Sequence, residues 1–322
     1  MTKAPKVLIH NDVTDAMAAR LSQVAPDVDM RTCHSNAELD AMIPKFRPDA
    51  VYSVRFDVSQ PFPRDALLAE GGPRWISVGG SGCDHLGDWD TSRVTVTNSA
   101  GVAASMMAEF VFGCALHFTL DIQGLQRDKA ARHWLLKQVS PLRGKTLLIV
   151  GLGQTGQAVA AKAKAFGMAV LGTRARPQPV KNVDEVHAAD SLPRLWPRAD
   201  LICVCVPRLP STLGLIDAEA FSLMKRTAIL VDVSRGGVID PDAAIAAMQN
   251  NRIAGAAFDV FETEPLPTDS PYWDLENTII SPHASAVYDG WDLTSFDMFL
   301  DNLERWRRDE PLQNVVNPAR GY

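Results

Sequence analysis

The chain has 322 residues, 46% of them hydrophobic and 22% charged, with 21 glycines and 21 prolines. At roughly 100 to 200 residues per domain this predicts two domains with real cores, and it excludes a small stapled module or a disordered chain. The net charge of −6 gives no bulk attraction to phosphate backbones or anionic lipid, so neither nucleic acid nor a membrane is expected as a partner.

The chain opens without a long apolar leader and enters a strand-like run at Lys6–His10. Similar runs follow at Ala50–Val54, Trp75–Val78 and Val94–Asn98, with helix-length intervals between them. Between the last two lies Gly79-Gly80-Ser81-Gly82-Cys83-Asp84-His85. The apolar stretch Val102–Leu120 has 19 residues, but Glu109 and His117 interrupt it. A charge near a bilayer centre costs about 2.5 kcal/mol or more, so a helix buried in protein is expected there. Trp134-Leu135-Leu136, which lies between the two halves of the chain, reads as part of a buried interface.

A second series of strands begins at Thr146–Val150 and continues through Ala169–Thr173, Leu201–Val206, Ala228–Val233, Gly255–Asp259 and Thr278–Ser281. Several are continuous apolar runs, as in LLIV and LICVCV, the pattern of strands buried on both faces of a parallel sheet. A final amphipathic helix near Trp291–Arg308 carries the chain away from this series, with Leu293, Phe296, Phe299, Leu300, Leu303 and Trp306 on one face. The reading is α/β: two doubly wound parallel-sheet domains, one discontinuous at 1–98 and 289–322, the other at 99–288. Five cysteines without a C-x-x-C pair, two of them inside a strand-like run, suit a reducing cytoplasmic setting and no metal.

The first strand of the second series runs into Gly151-Leu152-Gly153-Gln154-Thr155-Gly156, then a helix-like run to Phe166, Gly167 and a further strand. In this order the glycines have separate tasks. Gly151 makes the tight turn, Gly153 admits a pyrophosphate close to the backbone, and Gly156 lets the helix pack on the strand. Gly151, Gly153, Gln154, Thr155 and Gly156 are therefore expected to hold a dinucleotide. At the end of the next strand, where an NAD site usually presents an acid, the sequence is Gly172-Thr173-Arg174-Ala175-Arg176. Residues 129 to 183 carry ten Lys or Arg and no Asp or Glu. Arg174, with Arg176 beside it, suits a 2′-phosphate, so NADP is expected ahead of NAD.

Three later segments each follow a buried strand: Val231-Asp232-Val233-Ser234-Arg235-Gly236-Gly237, Phe258-Asp259-Val260-Phe261-Glu262-Thr263-Glu264-Pro265, and Ser281-Pro282-His283-Ala284-Ser285. Residues just past the carboxyl ends of such strands line a ligand crevice, which makes Arg235, Glu264 and His283 candidates for one site. Singly, each has a bland reading as surface charge, loop histidine or turn residue. With these motifs in view, the chain resembles the D-isomer-specific 2-hydroxyacid dehydrogenase family nearly end to end. The likeness includes Gly79–His85, Asn98–Phe110, Gly144-Lys145 and Asn314-Val315-Val316-Asn317, and the shortness of the chain and the arginines Arg174 and Arg176 resemble the glyoxylate and hydroxypyruvate reductase branch.

The resemblance implies a Rossmann-type coenzyme domain, a flavodoxin-like substrate domain and a homodimer. It implies that Arg235 binds and polarises a 2-keto acid, that Glu264 pairs with His283 and that His283 is the acid/base. It further implies that the backbone around Ser81 and Gly82 holds the substrate carboxylate and that Asp259 meets the nicotinamide carboxamide. Substrate side-chain preference would rest on the loops Val54-Arg55-Phe56 and Ser81–Asp84. The alternatives are a phosphite-type dehydrogenase of the same family and a dinucleotide-sensing corepressor-like protein.

Overall fold

The computed structural model describes residues 4–54 and 60–318. The chain divides into two compact units, Met1–Val102 with Tyr288–Tyr322, and Ala103–Val287.

The first unit is built on strands β1 (Lys6–His10), β2 (Asp29–Cys33), β3 (Ala50–Ser53), β4 (Trp75–Val78) and β5 (Thr95–Asn98), with helices α1 (Thr14–Val24), α2 (Asn36–Phe46) and α3 (Arg64–Leu68) between them. All strands are parallel, in the order β2-β1-β3-β4-β5. Because side chains alternate along a strand, Val7, Ile9, Tyr52 and Trp75 face one core while Leu8, Val51 and Ile76 face the other. The first core is closed by the last helix of the chain, Trp291–Arg307, through Phe296, Phe299, Leu300 and Leu303. Its Phe299 stacks on Trp75 with ring centroids 4.9 Å apart. Each fully buried aromatic of this kind contributes about 1.5 to 3 kcal/mol, which explains why a segment remote in sequence returns to this sheet.

The second unit begins with α4 (Ala104–Thr119) and α5 (Ile122–Ala131). Its strands are β6 (Thr146–Val150), β7 (Ala169–Thr173), β8 (Glu185–His187), β9 (Leu201–Val204), β10 (Ile229–Asp232), β11 (Gly255–Phe258) and β12 (Thr278–Ile280). The intervening helices are α6 (Gln154–Ala165), α7 (Leu192–Leu195), α8 (Ala218–Leu223) and α9 (Pro241–Gln249); Trp291–Arg307 is α10. The sheet is parallel in the order β12-β11-β10-β9-β6-β7-β8. The chain reverses direction across β6, which pairs with β7 on one side and β9 on the other. That is the switch point where open α/β sheets bind ligands. Helix α4 packs on α6 through Ala108, Val111, Phe112 and Ala115 against Val159, Ala160 and Ala163, and Phe112 stacks on Phe166 at 4.8 Å. Among the described residues no single helix is long and apolar enough to cross a membrane.

Two strands escape the sequence pattern, β2 and β8. Both are edge strands, paired on one side only. β2 reads DMRTC and buries only Cys33, and β8 is only three residues, EVH, none of them buried. A strand that buries so little lacks the continuous apolar run that marks the central strands.

Candidate functional site

The loop after β6 has little room for side chains where it turns and ample room where it opens. Gly151 has φ 108°, and a Cβ there would lie 2.9 Å from the Cys205 carbonyl oxygen. A Cβ at Gly156 would lie 2.1 Å from the Gly151 carbonyl oxygen, whereas one at Gly153 would meet nothing within 4 Å. Gly153 caps α6 with extended backbone and no side-chain hydrogen bond. Among the described residues the amides of Gln154, Thr155 and Gly156 therefore have no protein acceptor. These open donors and the positive end of α6 fit a pyrophosphate. The Thr155 hydroxyl is turned inward onto the Met107 sulfur at 3.6 Å, so its contribution to the loop is its N–H.

At the end of β7, the Arg174 amide donates to the His187 carbonyl at 3.0 Å, which ties this position to the edge strand β8. Arg174 is half-buried and Arg176 exposed. The nearby acids are already paired. Asp184 bonds Lys164 at 2.5 Å, and Glu185 bonds Arg198 at 2.5 Å and His187 at 3.0 Å. The Arg198 hydrogen bonds hold the Glu185 carboxyl down to about 2. Among the described residues Arg174 and Arg176 have no carboxylate partner.

Three strand ends in the same unit carry the titratable groups. Past β10, Arg235 Nη1 donates to the Ser234 carbonyl at 2.7 Å. Past β11, Glu264 Oε1 accepts the Phe261 amide at 3.0 Å, and Oε2 lies 2.9 Å from His283 Nδ1. Burial pushes the Glu264 carboxyl up, but the bonds from His283 and the Phe261 amide, with the charges of His283 and Arg235, overcome it and hold the group below the usual carboxylate range. Nδ1 being engaged by Glu264, Nε2 is the ring nitrogen left to exchange a proton. Arg235, Glu264 and His283, spread over 49 residues of sequence, thus share one electrostatic neighbourhood.

His283 sits in the left-handed region at φ 55°, a conformation that costs a non-glycine residue about 1 kcal/mol or more. Asp259 secures it. The His283 amide donates to the Asp259 carbonyl at 2.8 Å, while the Asp259 carboxylate accepts from Ser281 Oγ at 2.5 Å, the Ala284 amide at 2.7 Å and Ser285 Oγ at 2.5 Å. Asp259 is 1% exposed, and both its oxygens are engaged by the His283 loop.

Asp232 was not legible as special in the sequence, although an acid closing an all-apolar strand is the signal that marks it. It is 2% exposed and accepts the Ser234 amide at 2.9 Å and hydroxyl at 2.5 Å. Burial, reinforced by the charge of Asp259, pushes its carboxyl up to about 7 against those hydrogen bonds and the charge of Arg235.

In the first unit, the loop Gly79-Gly80-Ser81-Gly82 follows β4. Ser81 is exposed and Gly82 half-buried. Among the described residues the amides of Gly80, Ser81 and Gly82 donate to no protein acceptor, whereas the Gly79 amide is bonded to the Ser53 carbonyl. Arg55 and Phe56 lie outside the described residues.

A cavity of about 860 Å³ in the second unit is lined by Lys145, Leu201, Ile229 and Ala254, which mark the opposite ends of the strands from the glycine loop. Gln138, Val139 and Ser140 also line it, and the adjoining Trp134 and Leu136 are fully exposed in the single chain. Two of its lining carboxyls, Asp121 and Asp200, are held low by lysine partners, whereas the His283–Glu264 pair and the raised Asp232 carboxyl lie at the other end of the sheet.

Known proteins resemble this chain over most of its length. Residues 112–285 match the family model for the NAD binding domain of D-isomer specific 2-hydroxyacid dehydrogenases. A glyoxylate reductase of Korarchaeum cryptofilum is 34% identical over 281 residues, 84% of this chain and 82% of that protein. A D-isomer specific 2-hydroxyacid dehydrogenase family protein of Aeromonas salmonicida superposes with a TM-score of 0.85 at 28% identity, covering 98% of this chain and 100% of the other. Another from Xanthobacter autotrophicus, solved with NADPH and MES, gives 0.84 at 27% identity over 99% and 100%.

Proposed function

This chain belongs to the D-isomer specific 2-hydroxyacid dehydrogenase family, and we propose that it reduces small 2-keto acids of the glyoxylate and hydroxypyruvate kind to D-2-hydroxy acids with NADPH preferred over NADH. The observation that carries this reading is the His283–Glu264 pair at 2.9 Å, with Arg235 close enough to act on Glu264, at strand ends of the unit that also holds the open glycine loop.

The nicotinamide, when bound, supplies or accepts the hydride. As negative charge develops on the keto oxygen, Arg235 stabilises it and orients the substrate, and His283 Nε2 donates the proton. Glu264 fixes the ring through Nδ1; in the oxidative direction neutral His283 takes the proton back. We assign the amides of Ser81 and Gly82 to the substrate carboxylate. The amides of Gln154, Thr155 and Gly156, beside Gly151 and Gly153, are assigned to the pyrophosphate, and Arg174 with Arg176 to the 2′-phosphate. Asp259 acts in this scheme through the His283 loop. No observation favours phosphite oxidation or cofactor sensing.

We place the protein in the cytoplasm as a homodimer. All five cysteines are free thiols, which suits a reducing compartment. Trp134 and Leu136 are fully exposed in the single chain, a burden that an isologous contact with a second copy relieves; a monomer by light scattering at micromolar concentration would refute this. The deciding experiment for the reaction is turnover of glyoxylate, hydroxypyruvate, pyruvate and bulkier 2-keto acids with each cofactor. Tight dinucleotide binding without turnover of any of them would overturn the reading.

A further inference from the structure

Three consecutive carbonyls in the loop after β4 are each held from within the first unit. Ser295 Oγ donates to the Gly79 carbonyl at 2.6 Å, the Ser99 amide to the Gly80 carbonyl at 2.9 Å, and Asn98 Nδ2 to the Ser81 carbonyl at 2.7 Å. Asn98, Ser99 and Ser295 are 4%, 3% and 0% exposed, so these donors are not shared with water. Behind them stands a second layer. The Tyr52 hydroxyl donates to Ser295 Oγ at 3.0 Å and Ser99 Oγ lies 2.8 Å from the same oxygen, while the Gly79 carbonyl, which can only accept, takes the Ser295 hydrogen. Asn314 Nδ2 donates to the carbonyls of Asn98 and Ala100 at 3.2 and 3.0 Å, and the Asn98 amide donates back to the Asn314 carbonyl at 3.1 Å. The sequence segments beginning at Asn98 and Asn314, which the reaction itself does not use, meet here.

A trans peptide is planar, and its C=O and N–H point in opposite directions. Fixing the carbonyls of Gly79, Gly80 and Ser81 toward the interior therefore turns the amides of Gly80, Ser81 and Gly82 outward together. Those are the three amides with no protein acceptor among the described residues. A Cβ at Gly79 would lie 2.4 Å from Val54 Cγ2, so the loop cannot relax by shifting onto the sheet, whereas Gly80 faces open space.

We propose that Asn98 and Ser295 are positioning residues for substrate binding, which hold the Ser81 and Gly79 carbonyls so that the Ser81 and Gly82 amides converge on the keto-acid carboxylate. This rests on the assignment of those amides made above. Neither side chain touches the substrate; both act through the orientation of the backbone. Preorganised donors of this kind bind an anion without the cost of rotating two peptide planes at the moment of binding.

The test uses the full-length chain and two chemically different changes. Asn98→Asp keeps the shape and the acceptor for the Ala100 amide, at 3.2 Å in the parent, but loses the donor to Ser81. Ser295→Ala removes the donor to Gly79 without introducing charge. Oxamate, a planar carboxylate mimic of a 2-keto acid, is titrated in the presence of NADPH, together with KM and kcat for glyoxylate and the Kd of NADPH alone. The expected result for both variants is a rise of about tenfold in the oxamate Kd and the glyoxylate KM, with kcat changed by less than about threefold and NADPH affinity unchanged. A folded variant with parental oxamate affinity, or equal loss of oxamate and NADPH binding, overturns the proposal. If Asn98→Asp fails to fold, Ser295→Ala decides alone. Ser81→Pro, which deletes one of the amides outright, tests the underlying assignment: unchanged oxamate binding there refutes the carboxylate loop itself. Weakened binding there with parental binding in the other two refutes only the positioning role.

Discussion

Arg174→Ala tests the proposed cofactor preference at the residue assigned to it. The guanidinium stands at the end of β7 with no carboxylate partner among the described residues, and two acids of the same sheet edge, Asp184 and Glu185, are paired with Lys164 and Arg198. A 2′-phosphate brought to this position gains a charge-assisted contact. Such a contact contributes about 1.5 to 3 kcal/mol, or roughly ten- to a hundredfold in affinity. Because Arg174 is only half-buried, screening moves the expected loss toward tenfold at physiological salt. The Arg174 amide bond to His187 does not depend on the side chain, so the strand end should survive the change. Fluorescence titration of both reduced cofactors, at low and high salt, should show NADPH weakened and NADH within about threefold of the parent. Exposed Arg176→Ala should do less, and Arg174→Asp should invert the preference by restoring an acceptor for ribose hydroxyls while repelling phosphate. A parent that already prefers NADH by about tenfold, or an Arg174→Ala variant that weakens both cofactors equally, would refute the reasoning.

His283→Ala should lower turnover by about 10² to 10⁴ with dinucleotide affinity intact, and near-parental turnover would remove His283 from proton transfer. Arg235→Lys keeps the charge but loses the planar fork, so keto-acid kcat/KM should fall while dinucleotide binding holds; equal damage to both would place Arg235 in the cofactor site. Because the Glu264 carboxyl is held below the usual range, the stability it contributes is present above the unfolded carboxylate value and lost as pH falls through the folded one. The melting-temperature gap between the parent and Glu264→Gln should therefore shrink in acid, and a gap independent of pH would contradict the pairing. Asp232 has the opposite sign: the folded chain keeps its proton up to about 7 and the unfolded chain releases it near the ordinary value, so stability declines as pH rises between the two. Asp232→Asn should gain in melting temperature relative to the parent from about pH 4 to about pH 8, and a flat difference would count against a proton held at that site.

Ten of the strands, the glycine turn and the polar residues that follow β10, β11 and β12 were legible in the sequence because each is written locally. A strand buried on both faces must be an uninterrupted apolar run, as in LLIV of β6, and a turn that brings a Cβ within 2.1 Å of the Gly151 carbonyl must place glycine at 156. The edge strands β2 and β8 were invisible for the converse reason, since they bury too little to impose a pattern. What only the tertiary structure decided is which polar groups meet. Nothing in the sequence around Asp259 says that its carboxylate is engaged by Ser281, Ala284 and Ser285, 22 to 26 positions away. Ser295 reaches the Gly79 carbonyl across 216 residues, because α10 returns to the first sheet to bury Phe296 and Phe299 and brings Ser295 with it. Apolar periodicity records which face of an element is buried and is indifferent to what lies opposite. A hydrogen bond depends on a partner brought into place by strand order and helix packing, and neither of these is encoded within either segment alone.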